Sequence, residues 1–130
     1  MRMKRHLIFL LFLSSLASAA DYYKCKYLHY YDLQDDGSLT RVNKGLFSQP
    51  TGSFTVDRKS GEYREYNETK KLEIVDPGDE GNAFKAFLPE SFLTYGFQLK
   101  VIEYSDNSIK PFIKTSFSPY GLQTGTCEKF

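Results

Sequence analysis

Hydrophobic and polar residues alternate along this chain with a period of two and show almost no helical periodicity. From Tyr22 to Leu33 the alternation predicts one long strand. Tyr23, Cys25, Tyr27, His29, Tyr31 and Leu33 share one face, and Tyr22, Lys24, Lys26, Leu28 and Tyr30 share the other. Asp35-Asp36-Gly37 reads as a turn, Leu39 to Val42 as a second strand, and Pro50-Thr51-Gly52 breaks the chain again. Ser53 to Asp57 alternates with Phe54 and Val56 on one side. Arg58 to Gly61 turns the chain, with the glycine where a hairpin needs positive φ, and Glu62 to Tyr66 returns. Leu72 to Val75 and Ala83 to Leu88 are further strands, separated by the turn-forming run Asp76 to Asn82. Pro89 to Gly96 is the one stretch that admits a helical turn. Phe97 to Tyr104, Ile109 to Phe117 and Leu122 to Cys127 complete the pattern.

Turn signals every eight to twelve residues and short gaps imply antiparallel pairing, because parallel strands need long crossovers. The expected fold is all-β, with about eight antiparallel strands in a small barrel or sandwich. Phe47, Phe54, Val56, Leu72, Ile74, Phe84, Phe87, Leu99, Val101, Phe112, Ile113 and Phe117 are the residues expected to fill its core.

The first twenty residues have a different character. Met1 to His6 is basic, Leu7 to Leu13 is apolar, and Ala17-Ser18-Ala19 has the small-x-small form of a cleavage site. Residues 1–20 are read as a signal peptide, cut after Ala19 or Ala20, and residues 21–130 as one domain. The apolar run is too short to span a bilayer, which takes about 20 residues. No membrane span is expected after cleavage, and the location is periplasmic or secreted.

Cys25 and Cys127 are the only cysteines. In an oxidising compartment an even count points to a disulfide, here joining the first strand to the last. A metal pair or a redox pair is the alternative, but redox motifs usually set cysteines two apart. A loop of about 100 residues would contribute roughly 4.7 kcal/mol in the chain-entropy model, an upper-end figure.

Four segments together, Phe54 to Tyr63, Val75 to Lys85, Leu99 to Ile113 and Thr124 to Cys127, resemble a family of small secreted proteins of Gram-negative bacteria. The resemblance covers most of the mature chain and implies export and a one-domain β fold. It implies no activity.

Charge narrows the function. The chain has 17 basic and 16 acidic residues, and loss of Arg2, Lys4 and Arg5 with the signal turns the balance slightly negative. A nucleic-acid binder should carry a basic face, so no nucleic acid is expected as a partner.

His29 is the one histidine of the mature part, so a hydrolase triad would have to use it as base, and no G-x-S-x-G elbow accompanies it. One histidine and two paired cysteines do not make a zinc set. Asp76, Asp79, Glu80 and Asn82 could offer oxygen ligands to calcium, but not at EF-hand spacing. Asp57, Glu62 and Glu65 surround one hairpin, where paired carboxylates would be needed for glycoside hydrolysis. No enzyme, cofactor or metal is expected.

The tyrosine-rich first strand is the most unusual feature. Tyrosine buries area with little entropy loss and is enriched at interfaces. Tyr23, Tyr27, His29 and Tyr31 are therefore the candidate recognition surface. The resulting expectation is a non-enzymatic binding module for a protein partner or small ligand. The alternative is an envelope-associated structural or inhibitor-type β-barrel, by fold-level analogy with small disulfide-closed barrels that inhibit lysozymes.

Overall fold

The computed structural model describes residues 21–42, 52–91, 96–105, 108–116 and 121–130. They form ten strands: β1 (Tyr22–Leu33), β2 (Leu39–Arg41), β3 (Ser53–Asp57), β4 (Glu62–Glu65), β5 (Glu68–Lys71), β6 (Glu73–Pro77), β7 (Phe84–Leu88), β8 (Phe97–Val101), β9 (Ile109–Ser116) and β10 (Leu122–Lys129). Among the described residues no helix is long and apolar enough to cross a membrane.

All pairings are antiparallel, in the order β5-β4-β3-β1-β10-β9-β8-β7-β6, with β2 attached to β1 as a side hairpin. The two ends of this order, β5 and β6, are consecutive in the chain with only Leu72 between them. The sheet thus curls into a nearly closed barrel, which resolves the choice between barrel and sandwich and leaves little open edge. Gly61 lies beside the junction. Its carbonyl accepts the Leu72 N–H at 2.8 Å, its φ is +78°, and a Cβ there would lie 2.3 Å from the Leu72 carbonyl oxygen.

Cys25 and Cys127 stand directly opposite each other in the β1–β10 pair and are joined by a disulfide. Both face the interior and are buried. The bridge therefore links the first and last strands in the middle of the sheet.

The core is more aromatic than the pattern implied. Tyr23, Tyr27, Phe54, Tyr63, Phe84, Phe97 and Phe112 are buried with Val56, Leu72, Leu99 and Val101. Phe54 stacks on Tyr63 with centroids 5.1 Å apart and meets Phe112 edge-on at 5.1 Å, and Tyr23 meets Phe84 edge-on at 5.5 Å. Such pairs contribute about 0.5–1.5 kcal/mol each beyond area burial. Phe87 and Ile113, expected in the core, are half-buried on the outer face instead, because they alternate with the inward Ala86 and Phe112. Ile74 is partly buried against the core. Phe47 and Phe117 lie outside the described residues.

Two segments depart from the predicted strands. Glu68–Lys71 pairs with β4 as β5, although its polar sequence carries no strand pattern. The strand from Phe97 ends at Val101, three residues short of Tyr104, because Ile102 to Ser105 turns and Ser105 N–H donates to the Ile102 carbonyl at 3.2 Å. In the stretch where a helical turn was admitted, residues 92–95 lie outside the described residues, and Pro89 to Ser91 is not helical.

Candidate functional site

The four residues expected to form one recognition surface do not share a face. Tyr23 and Tyr27 point into the barrel and are buried, whereas His29 and Tyr31 are half-exposed on the outside. The cause is a bulge. Tyr27 pairs with Gly125 and His29 with the next residue back, Thr124, so Leu28 is extra and the alternation resets. Tyr30 therefore enters the core and His29 leaves it. Gly125 makes the close approach possible, since a Cβ there would lie 2.0 Å from the Lys26 carbonyl oxygen and 2.6 Å from the Phe112 ring.

Inside, the phenols serve two polar clusters. At one end, Lys114 is buried beneath an aromatic ring set, with its ammonium 4.3 Å from the Phe97 centroid and 5.3 Å from that of Tyr63. It donates to Tyr27 Oη and Tyr63 Oη, both at 3.0 Å, and lies 3.4 Å from Glu65 Oε2. The two phenols donate in turn to Glu65, Tyr27 at 2.9 Å and Tyr63 at 2.6 Å. Burial pushes the ammonium below the usual lysine range, and Glu65 opposes that shift. Burial raises both phenols far above the usual tyrosine value, with the Glu65 charge adding to it. They stay protonated and act as donors.

At the other end Tyr23 donates to Glu103, which also accepts from Lys129 at 2.9 Å and lies 3.8 Å from Arg58. Arg58 donates to the carbonyls of Pro77 and Gly78, each at 2.8 Å, and pairs with Asp21 at 3.1 Å. Burial raises the Glu103 carboxyl, but the bonds from Tyr23 and Lys129 and the nearby Arg58 outweigh it, and the net shift is downward. Both clusters tie strands together with charges that are matched, and such clusters favour one packing over others.

The carboxylates considered for hydrolysis do not converge. Asp57 accepts the backbone N–H groups of Lys59 and Ser60 at 2.8 and 2.9 Å, and Glu62 pairs with Arg64 on the outer face. Glu65 is part of the inner cluster. In the acidic loop, Asp79 accepts from Gly81 N–H at 2.7 Å and Asp76 from Gly78 N–H at 2.9 Å, so these groups shape the turn. Among the described residues no group of three or more His, Cys, Asp or Glu could hold a metal ion.

The outer face from β1 to β7 has a different composition. One row across the strands runs His29, Thr124, Ile113, Lys100 and Lys85, and the next runs Tyr31, Leu122, Thr115, Gln98 and Phe87. His29 and Tyr31 meet edge-on with centroids 6.2 Å apart, and the buried His29 Nδ1 has no hydrogen-bond partner. At the opposite side, Val75, Phe87 and Ile113 line a groove of about 410 Å³ together with Lys85 and Lys100. A second groove of about 330 Å³ shares Phe87, Gln98 and Thr115 with the first and runs on to Pro89 and Glu90. His29 and Tyr31, at one end of this band, were among the residues expected in a recognition surface. Sequence reasoning missed the Phe87–Ile113 end because those residues were assigned inward.

No family model matches the chain, and no curated protein or solved structure matches it. The resemblance to small secreted proteins therefore rests on the sequence segments alone.

Proposed function

We propose that the chain is a non-enzymatic binding module of a periplasmic or extracellular compartment and that it engages a protein partner. The contacting surface is the outer band from His29 and Tyr31 on β1 to Phe87 on β7. The observation that carries this reading is the division of the barrel's two faces. The interior is filled by rings and tied at both ends by paired charges, while the outer band keeps half-exposed apolar side chains beside two grooves. Half-exposed apolar side chains that line grooves are a feature of contact surfaces. The disulfide is compatible with an oxidising compartment.

The test places a photo-cross-linking amino acid at Ile113, in the band, and in a second protein at Arg64, exposed on the far side of the barrel. Both are expressed in the native host. A discrete protein adduct from position 113 and none from position 64 is expected. No adduct at 113, or a small molecule retained in native mass spectra of the purified protein, would overturn the proposal.

A further inference from the structure

The polar cluster around Lys114 is built from two separable parts. One is a shell of rings that hold one another. Tyr27 on β1 meets Phe54 on β3 with centroids 5.3 Å apart, Phe54 stacks on Tyr63 of β4 at 5.1 Å, and Tyr63 meets Phe97 of β8 at 5.0 Å. The other part is the lysine, which enters from β9 and belongs to none of those four strands. Its ammonium lies 4.3 Å from the Phe97 centroid and 5.3, 5.5 and 5.8 Å from those of Tyr63, Tyr27 and Phe54. A cation at such distances is attracted by the ring quadrupoles. The shell also supplies three acceptors. Tyr27 Oη and Tyr63 Oη each accept from Nζ at 3.0 Å, and Glu65 Oε2 accepts at 3.4 Å. Both phenols donate their own proton to Glu65, at 2.9 and 2.6 Å, which leaves their lone pairs to the ammonium. A primary ammonium has three N–H donors, and the shell answers each of them.

We propose that this end of the barrel is a binding site for a primary alkylammonium ion, which the chain fills with its own Lys114. The side chain acts as a tethered ligand. The rings pack on one another through contacts that do not involve the lysine, so the shell keeps its form when the side chain is shortened. The Glu65 side chain stays 20% exposed, so the site borders solvent and a free ion reaches it from that side. Selectivity follows from the same geometry. A quaternary ammonium carries charge but has no N–H to give to the three oxygens. A neutral alcohol lacks the charge that Glu65 and the rings attract. The inference is independent of the binding-module reading, which concerns the outer face.

The variant Lys114→Ala removes the atoms from Cγ to Nζ, which together make up n-propylammonium. The oxidised mature protein is unfolded in urea at neutral pH with increasing n-propylammonium chloride, against sodium chloride at the same ionic strength. Lys114→Ala should be less stable than the wild type, since it leaves Glu65 without its buried cation. n-Propylammonium should raise the urea midpoint of the variant progressively by mass action, with half-saturation in the millimolar range. The wild type, whose site is filled, should show no rise beyond the salt control. Neither tetramethylammonium nor n-propanol should rescue the variant. Lys114→Met, which fills the same space without the charge, should not respond to n-propylammonium. Failure of n-propylammonium to raise the midpoint of Lys114→Ala, or to restore its far-UV signal where the variant alone has not folded, would overturn the inference. Equal rescue by tetramethylammonium or n-propanol would also overturn it. So would a rise in the wild type or in Lys114→Met as large as that in Lys114→Ala, because the ion would then act elsewhere.

Discussion

Raising the pH should unfold this barrel steeply above about pH 10, and the slope follows from three phenols. Tyr23, Tyr27 and Tyr63 are buried, and burial together with Glu103 or Glu65 holds each far above the ordinary tyrosine value. A group whose folded pKa is raised contributes stability that is full below its unfolded pKa and is lost above it. In the unfolded chain these phenols ionise near pH 10, and in the barrel they do not. Each therefore removes about 1.4 kcal/mol per pH unit beyond pH 10, and the three together about 4 kcal/mol. A domain with roughly 5–15 kcal/mol of stability loses all of it within about one to four pH units. Lys114 acts in the opposite sense, since its depressed pKa makes stability rise with pH up to the ordinary lysine value, about 10.4. Above that value it contributes no further slope, so it does not offset the loss.

The assay is urea denaturation at stepped pH, with tyrosinate absorbance followed in parallel. Tyrosinate should appear in two phases, the second coinciding with loss of the far-UV signal. Tyr23→Phe should reduce the slope by about a third. Smooth ionisation of all the tyrosines with the β-sheet signal intact would refute the burial argument.

Two further outcomes test the seam between the first and last strands. Cys127→Ser should lower stability by up to about 4.7 kcal/mol, and reduction of the wild type should reproduce the loss; an unchanged denaturation midpoint would remove the bridge from any stabilising role. Gly125→Ala should cost about 1–3 kcal/mol, because its methyl group would press on the Lys26 carbonyl and the Phe112 ring; wild-type thermal stability would contradict the close β1–β10 approach.

Local signals were enough for much of the fold. Tyr22 to Leu33 and Ser53 to Asp57 alternate cleanly and match β1 and β3, and the cysteine count gave the bridge. What the pattern could not carry depends on partners distant in the chain. The bulge at Leu28 is set by how Gly125 and Thr124 pair, so strict alternation put His29 and Tyr31 with Tyr27. Glu68–Lys71 is a strand because β4 offers it an edge, not because of its own residues. Lys114 alternates onto the same face as the core residue Phe112, and its burial depends on Glu65 and two tyrosines from other strands. The candidate band was half legible for the same reason. Phe87 and Ile113 are apolar enough for a core, and only the inward register of Ala86 and Phe112 sends them outward.

The pairing of β1 with β10 also bears on the order of events during folding. The bridge spans 102 residues, and β10 ends at Lys129. The barrel therefore cannot close until β10 is present to pair with β1. Until then β1 has an unpaired edge along the side that β10 will cover, and β3–β5 and β6–β9 are two separate meanders with no ladder between β5 and β6 among the described residues. A chain built this way makes the contact between its first and last strands the most non-local step of its folding.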